Sequence, residues 1–389
     1  MKAANLLRVG LLVALLLPVA PLRAAETAEE TAYRYGALGR LNEMQGKNAE
    51  ALDYFNQSLA FKPDAIIYSN RGNLKMKLRD FTGAIADYDK AIAQQPADIE
   101  IFYGNRGFIK HQLGDLAGAI ADYDQVIARK PDAALYYNNR GYAKIAKGDL
   151  AGAITDYTKA MVLEPGEIKY RENLANAKRD TGDIAGAIAG YDKMIEMEPE
   201  LPLHYFNRGN LKQLMADFAG AISDYNKVIE LQPKSWGGYL QRGTARQAMG
   251  DLEAAFADYD KAVTVTQDHL AFGWAYREIV LRQLNRGTPN VELSGIMGRG
   301  QDSFPKNIGL YLSATLAESD FLTKAGQGDA GSVSGQQCVA FYFVGMTRLL
   351  AGDQAAARKY LEQSVATKRT DVSEFVLARA ELVRLAKQP

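Results

Sequence analysis

The sequence predicts an all-α solenoid of stacked helical hairpins that ends in a helical cap. Three observations predict it. Glycine, or alanine in its place, recurs at Gly39, Gly72, Gly107, Gly141, Ala175, Gly209 and Gly243, in steps of 33 to 35 residues. Prolines keep the same step at Pro63, Pro96, Pro131, Pro165, Pro199 and Pro233. Alanines at Ala51, Ala84, Ala119, Ala153, Ala187, Ala221 and Ala255 complete the register. A fixed period of this size marks a repeat architecture. One such unit cannot bury its apolar face alone, so neighbours must stack.

The first 25 residues precede the repeats and read as a secretory signal. Lys2 and Arg8 form a positive end, Val9 to Ala20 an apolar run, and the small residues near Ala24 and Ala25 a cleavage site. The expectation is a periplasmic or secreted protein, with a retained N-terminal anchor as the alternative. Removing the segment leaves 43 basic against 46 acidic side chains, a formal −3. That balance predicts neither nucleic-acid nor lipid-surface binding. Cys338 is the one cysteine, so no intramolecular disulfide can form. No cysteine stands at the cleavage site to carry a lipid. Inside the apolar run at residues 338–346, Cys338 reads as a small core residue.

Seven units are expected over residues 32–267. In the fourth, the stretch from Tyr136 to Lys147 is a helix whose Gly141 faces a partner. Gly148 and Asp149 stop that helix and cap the next. The second helix carries Ala153 and Ala160 for close approach, with Ile154 and Tyr157 in the seam. Pro165 ends it.

An arginine precedes the glycine in five units, and an aspartate stands sixteen residues later. The pairs are Arg71 with Asp87, Arg106 with Asp122, Arg140 with Asp156, Arg208 with Asp224, and Arg242 with Asp258. Where the arginine is missing the aspartate is missing too: Leu38 with Tyr54, Leu174 with Gly190, Val344 with Tyr360. Joint replacement predicts contact, and each pair is expected to be a structural ion pair within its hairpin. A repeated ligand contact is the alternative. Lys75, Lys110, Lys144 and Lys212, four residues after an arginine, share its helix face and are expected to support the aspartate.

The pattern then decays. Residues 268–337 are expected to hold a helix over Leu270 to Gly287 that ends at Gly287, then short helical pieces and a flexible Gly/Ser tract, residues 325–337. The register returns over residues 338–389, where Gly345, Gly352 and Ala357 match a divergent unit. Asp371 to Lys387 is expected to cap the array, with Phe375, Leu377, Leu382, Val383 and Leu385 among its apolar residues.

Tyr137, Gly141, Ala153, Tyr157, Ala160 and Pro165 in the fourth unit, with their counterparts, resemble the tetratricopeptide repeat. That resemblance implies a right-handed superhelical solenoid whose first helices line a concave, peptide-binding groove. Counting the glycine as position eight, the resemblance places positions two, five, six, nine, twelve and thirteen of the first helix in the groove, and positions five, six and nine hold the candidate peptide-binding residues. Position six is Asn70, Asn105, Asn139, Asn173 and Asn207, followed by Gln241. Position nine includes Asn73, Phe108, Tyr142, Asn176 and Asn210, and position five includes Asn138. Side-chain amides both donate and accept, so such a ladder suits peptide main chain, and Phe108 and Tyr142 would add apolar anchors. Bonding of the position-six asparagines to a neighbouring helix is the alternative. Position five is never basic, so the carboxylate recognition of some members is not expected. The C-terminal residues 338–368 and 375–385 resemble the end of a lipoprotein adaptor family of the new lipoprotein I type. Its members scaffold cell-wall hydrolases and proteases, but its lipid-bearing cysteine is absent here.

Enzymatic motifs are weak. His111, His204 and His269 share no motif, so no metal site is expected. Gly326 to Gly331 satisfies the dinucleotide glycine spacing without a βαβ context. Ser303 and Lys306 have a catalytic spacing, but Pro305 is expected to prevent the helical turn that would align them. The expectation is a non-enzymatic, cofactor-free adaptor whose partners are peptide segments of other proteins. A homodimer, or a structural homo-oligomer, is the alternative.

Overall fold

The computed structural model describes residues 26–265, 271–286 and 304–387. Those residues form twenty helices and no strand. The chain divides into two compact bodies, Met1–Gly166 and Glu167–Pro389. The signal-like segment, His269, Gly287 and Ser303 lie outside the described residues.

The N-terminal body holds four hairpins: α1 (Ala28–Met44) with α2 (Asn48–Phe61), α3 (Ala65–Lys77) with α4 (Phe81–Ala93), α5 (Ile99–Gln112) with α6 (Leu116–Arg129), and α7 (Ala134–Lys147) with α8 (Leu150–Leu163). The C-terminal body opens with three more: α9 (Ile168–Asp180) with α10 (Ile184–Met197), α11 (Pro202–Leu214) with α12 (Phe218–Leu231), and α13 (Trp236–Met249) with α14 (Leu252–Val265). It continues through α15 (Ala271–Gln283), α16 (Phe304–Leu312), α17 (Glu318–Ala325), α18 (Ala330–Leu350), α19 (Gln354–Ala366) and α20 (Ser373–Leu385).

Local chemistry sets the hairpin. Gly148 adopts φ +87°, a left-handed conformation, at the end of α7, and Asp149 Oδ1 accepts from the Gly152 N–H at 2.9 Å to start α8. The same aspartate cap recurs at Asp80, Asp115, Asp183 and Asp217. In two units the turn lacks glycine, and Arg79 and Ala216 take positive φ, +63° and +61°. Helix contact then depends on the repeat glycine. A Cβ on Gly141 would lie 2.6 Å from the Tyr157 ring, and one on Gly209 2.8 Å from that of Tyr225. The tyrosines Tyr88, Tyr123, Tyr157, Tyr191, Tyr225 and Tyr259 are all buried against the repeat alanines.

The region after the seventh hairpin differs from the sequence expectation in four ways. The segment read as a flexible Gly/Ser tract is helical from Ala330, because Asp329 accepts from the Gly331 and Ser332 N–H groups and caps α18. Helix α15 ends at Gln283, and Asn285 takes the left-handed turn, φ +55°, that was assigned to Gly287. Pro305 sits in the first turn of α16, where the missing N–H costs nothing. Last, α20 does more than cap the divergent unit of α18 and α19. It packs on α13, α18 and α19, burying Glu374, Phe375, Val376, Leu377 and Ala378 and leaving Val383 exposed. The divergent unit keeps the close approach: a Cβ on Gly345 would lie 2.9 Å from Leu361, and Gly352 has φ +81°. Cys338 is fully buried in this region, and burial pushes its thiol up from the ordinary value.

Candidate functional site

The five arginine–aspartate pairs are made inside their hairpins. Arg140 Nε and Nη2 donate to the two Asp156 oxygens at 2.9 and 2.6 Å. Arg71 with Asp87, Arg106 with Asp122, Arg208 with Asp224 and Arg242 with Asp258 repeat this fork. Every one of these aspartates is buried. Lys75, Lys110, Lys144 and Lys212 reach the second carboxylate oxygen at 2.8 to 3.0 Å, and Arg246 reaches that of Asp258 at 2.7 Å.

Two further contacts of the arginine were not anticipated. Its Nη1 donates to the preceding hairpin: Arg71 to Asn56, Arg106 to Asp89, Arg140 to Asp124, Arg208 to Asp192 and Arg242 to Asn226, at 2.5 to 2.7 Å. Each guanidinium also lies over the ring of the tyrosine three residues earlier, at 5.3 to 5.7 Å, as Arg140 does over Tyr137. The signals were present in the sequence as a Tyr-x-x-Arg spacing and an Asp or Asn two residues after the paired aspartate. Where Leu174 replaces the arginine, Thr158 occupies that acceptor position. The hydrogen bond to Asp156, ahead of the opposing effect of burial, holds Arg140 above its already high ordinary value. All three of its donor nitrogens are engaged, so the arginine ties its own hairpin together and to the preceding one.

The amide positions are more divided. Asn73 Oδ1 accepts from the Tyr88 hydroxyl at 2.5 Å and from Asn105 Nδ2 at 3.1 Å, so Asn105 bonds to the preceding hairpin. Tyr191 donates to Asn176 at 3.3 Å and Tyr225 to Asn210 at 2.8 Å. Burial pushes the Tyr88 and Tyr225 phenols far up, so they stay protonated donors. Asn70 Nδ2 is buried without a partner. Asn139, Asn173 and Asn207 are half-buried. Asn138 corrects the sequence expectation: it is fully buried, and its Nδ2 lies 3.5 Å from Asn139 Oδ1. Position five of α7 faces the hairpin interior and offers nothing to a ligand.

Sequence reasoning gave position two to the groove but named none of the apolar residues there. Tyr33, Ile66, Ile101 and Leu135 keep the repeat spacing and are 60, 60, 45 and 50% exposed. Four residues separate positions two and six and three separate six and nine, so all three lie on one helix face. Phe108 and Tyr142 at position nine are 45 and 38% exposed. In the N-terminal body the first helices therefore present half-buried amides between exposed apolar side chains. In the C-terminal body α20 lies across the same helix faces. Gln241 Nε2 donates to Ser373 at 3.2 Å, Arg379 donates to the Leu214 carbonyl, and Arg384 to those of Gln247 and Ala248. These carbonyls lie in the last turns of their helices, where the regular ladder runs out, and that of Gln247 also accepts from the Gly250 N–H.

Among the described residues no cluster of His, Cys, Asp or Glu could hold a metal ion. None of their helices is long and apolar enough to cross a membrane.

Tetratricopeptide repeat family models match residues 65–98, 112–167, 205–235 and 237–269. No curated protein matches the chain. Similar solved structures include the C-terminal part of a repeat protein from Cytophaga hutchinsonii, 15% identical, spanning 79% of this chain and 98% of that one with a TM-score of 0.46. A tetratricopeptide repeat protein from Parabacteroides merdae is 18% identical over 65% of this chain and 99% of its own, TM-score 0.45. MamA from Desulfovibrio magneticus is 24% identical over 44% of this chain and 96% of its own, TM-score 0.41. With the small residue, tyrosine and proline renewed along the hairpins and the repeat models matched in both bodies, residues 65–98, 112–167, 205–235 and 237–269 are tetratricopeptide repeats.

Proposed function

We propose that the protein is a non-enzymatic scaffold that holds peptide segments of other proteins against its first-helix face. The observation that carries this is the exposed row Tyr33, Ile66, Ile101 and Leu135 beside the amides. Four large apolar side chains in one register keep about half their surface exposed, and aligned exposed apolar surface marks a contact site. The repeated charged residues are meanwhile consumed by the frame. On the signal-like sequence of residues 1–25 we place the protein in the periplasm. The likeness of its C-terminal residues to envelope lipoprotein adaptors suggests work in cell-envelope maintenance.

Panning a random peptide library on residues 26–389 tests the scaffold reading. Selected peptides should bind the wild type and include ones that lose binding to an Ile66→Glu, Ile101→Glu, Leu135→Glu variant of unchanged helicity. A library that yields no binder refutes it. The same apolar row would also suit self-association. Concentration-dependent light scattering that the triple variant abolishes, without any peptide binding, would favour the homo-oligomer instead. Cell fractionation with and without residues 1–25 tests the location.

A further inference from the structure

The C-terminal body contains two cavities that share Gln241 as a wall. The first, about 630 Å³, opens at the N-terminal ends of α11 and α13. Phe206, Val228 and Leu240 form its floor, and the half-exposed Leu203 and Trp236 stand at its rim. It exists because Gly237 occupies position two, where other units carry Tyr33, Ile66, Ile101, Leu135 and Leu203. The glycine is not demanded by packing: a Cβ there would meet Phe206 at 3.4 Å, an ordinary contact.

The second cavity, about 430 Å³, is lined by Asn176, Asn207, Asn210 and Gln213, and Ser373 lies on the wall that the C-terminal segment supplies. Gln213 is 3% exposed. Its Nε2 donates to the Tyr225 hydroxyl and to Gln241 Oε1, while its Oε1 has no partner. A buried acceptor left unmet is costly, and on the wall of a cleft it is an invitation to a donor. The nearby charges are already matched, Arg179 with Asp180 at 2.9 Å and Asp371 with Arg369 at 2.7 Å. The cleft therefore favours neither sign of charge.

We propose that these cavities form one two-part site for an uncharged peptide segment, an inference that rests on the scaffold reading. The apolar cavity takes one bulky apolar side chain against Phe206, Trp236 and Leu240. The adjoining amide cleft takes the extended main chain, with a peptide N–H donating to Gln213 Oε1 and peptide carbonyls accepting from the asparagine amides. Ser373 and its neighbours limit the cleft, so the segment is short.

The test uses those peptides selected on the wild-type chain that the Ile66→Glu, Ile101→Glu, Leu135→Glu variant still binds, measured by fluorescence anisotropy against Gly237→Leu, which restores the side chain of the other units and fills the apolar cavity. Selected peptides should carry a bulky apolar residue. Binding should weaken by about tenfold or more, the loss expected for excluding one such side chain, at an unchanged melting temperature. Trp236→Ala, which removes the rim, serves if Gly237→Leu does not fold. Equal binding by a folded Gly237→Leu overturns the site. If every selected peptide is lost in the Ile66, Ile101, Leu135 variant, the scaffold reading survives and only this site falls. A library with no binder at all overturns both.

Discussion

Replacing Arg140 with leucine removes a guanidinium that makes two bonds to Asp156, one to Asp124 and a stack on Tyr137. Asp124 is half-exposed, and water takes over its lost bond at little cost. Asp156 is 2% exposed and keeps only Lys144, at 2.8 Å. Stranding a buried charge costs about 3–5 kcal/mol, and the remaining lysine brings the expected loss to about 3 kcal/mol. The first hairpin shows how to live without the pair, with Leu38, Tyr54 and, at the lysine position, Asn42. Arg140→Leu with Asp156→Tyr should therefore regain more than half the loss, and adding Lys144→Asn should regain more. Urea denaturation of the single, double and triple variants, followed by circular dichroism, gives the coupling as a double-mutant cycle. A coupling of about 2 kcal/mol is expected for residues in such contact. A double variant no more stable than Arg140→Leu alone would refute the ion-pair account.

Glu374 accepts from Tyr276 at 2.6 Å in the core around α20, and burial pushes its carboxyl up to about 7 from an ordinary 4.5. A carboxyl raised on folding gives its full stability below about pH 4.5, loses it as pH rises toward 7, and is level above. Glu374→Gln should thus be more stable than wild type at pH 8, by on the order of 3 kcal/mol, and a stability-versus-pH curve should lose that slope. Ala216→Gly should stabilise by about 0.5–1 kcal/mol, because it relieves a left-handed alanine at φ +61°; a lower urea midpoint would contradict this. Asp329→Ala should cost about 1 kcal/mol and speed amide exchange over residues 330–335 by removing the cap of α18. Exchange in that stretch already at the unprotected rate in the wild type would show that α18 does not start there.

Much of the frame was legible because it is chemically local. Gly148 and Asp149 lie next to each other, and the second-helix cap needs only Asp149 and the N–H of Gly152. Arg140 and Asp156 are sixteen residues apart, and the repeats supplied the comparison that joined them. The link from Arg140 to Asp124 crosses between hairpins, so it was visible only as an unexplained preference for Asp or Asn. Asn138 and Asn139 are neighbours of the same type, and a helix turns them about 100° apart. One is buried and the other half-exposed, a difference set by which face meets the adjoining helix.

The sequence by itself determined the repeat, its helical hairpins and its arginine–aspartate joints. Period, propensity and caps act within about 35 residues, and each unit repeats the same instruction. Only the tertiary structure decided where α20 goes. Its apolar residues predict burial somewhere, yet its partners Leu214, Gln241, Gln247 and Ala248 lie more than a hundred residues upstream. No local pattern encodes that distance. The helix settles there because α11 and α13 end in carbonyls that Arg379 and Arg384 can satisfy, and the same packing leaves the cleft beside Gln241 open.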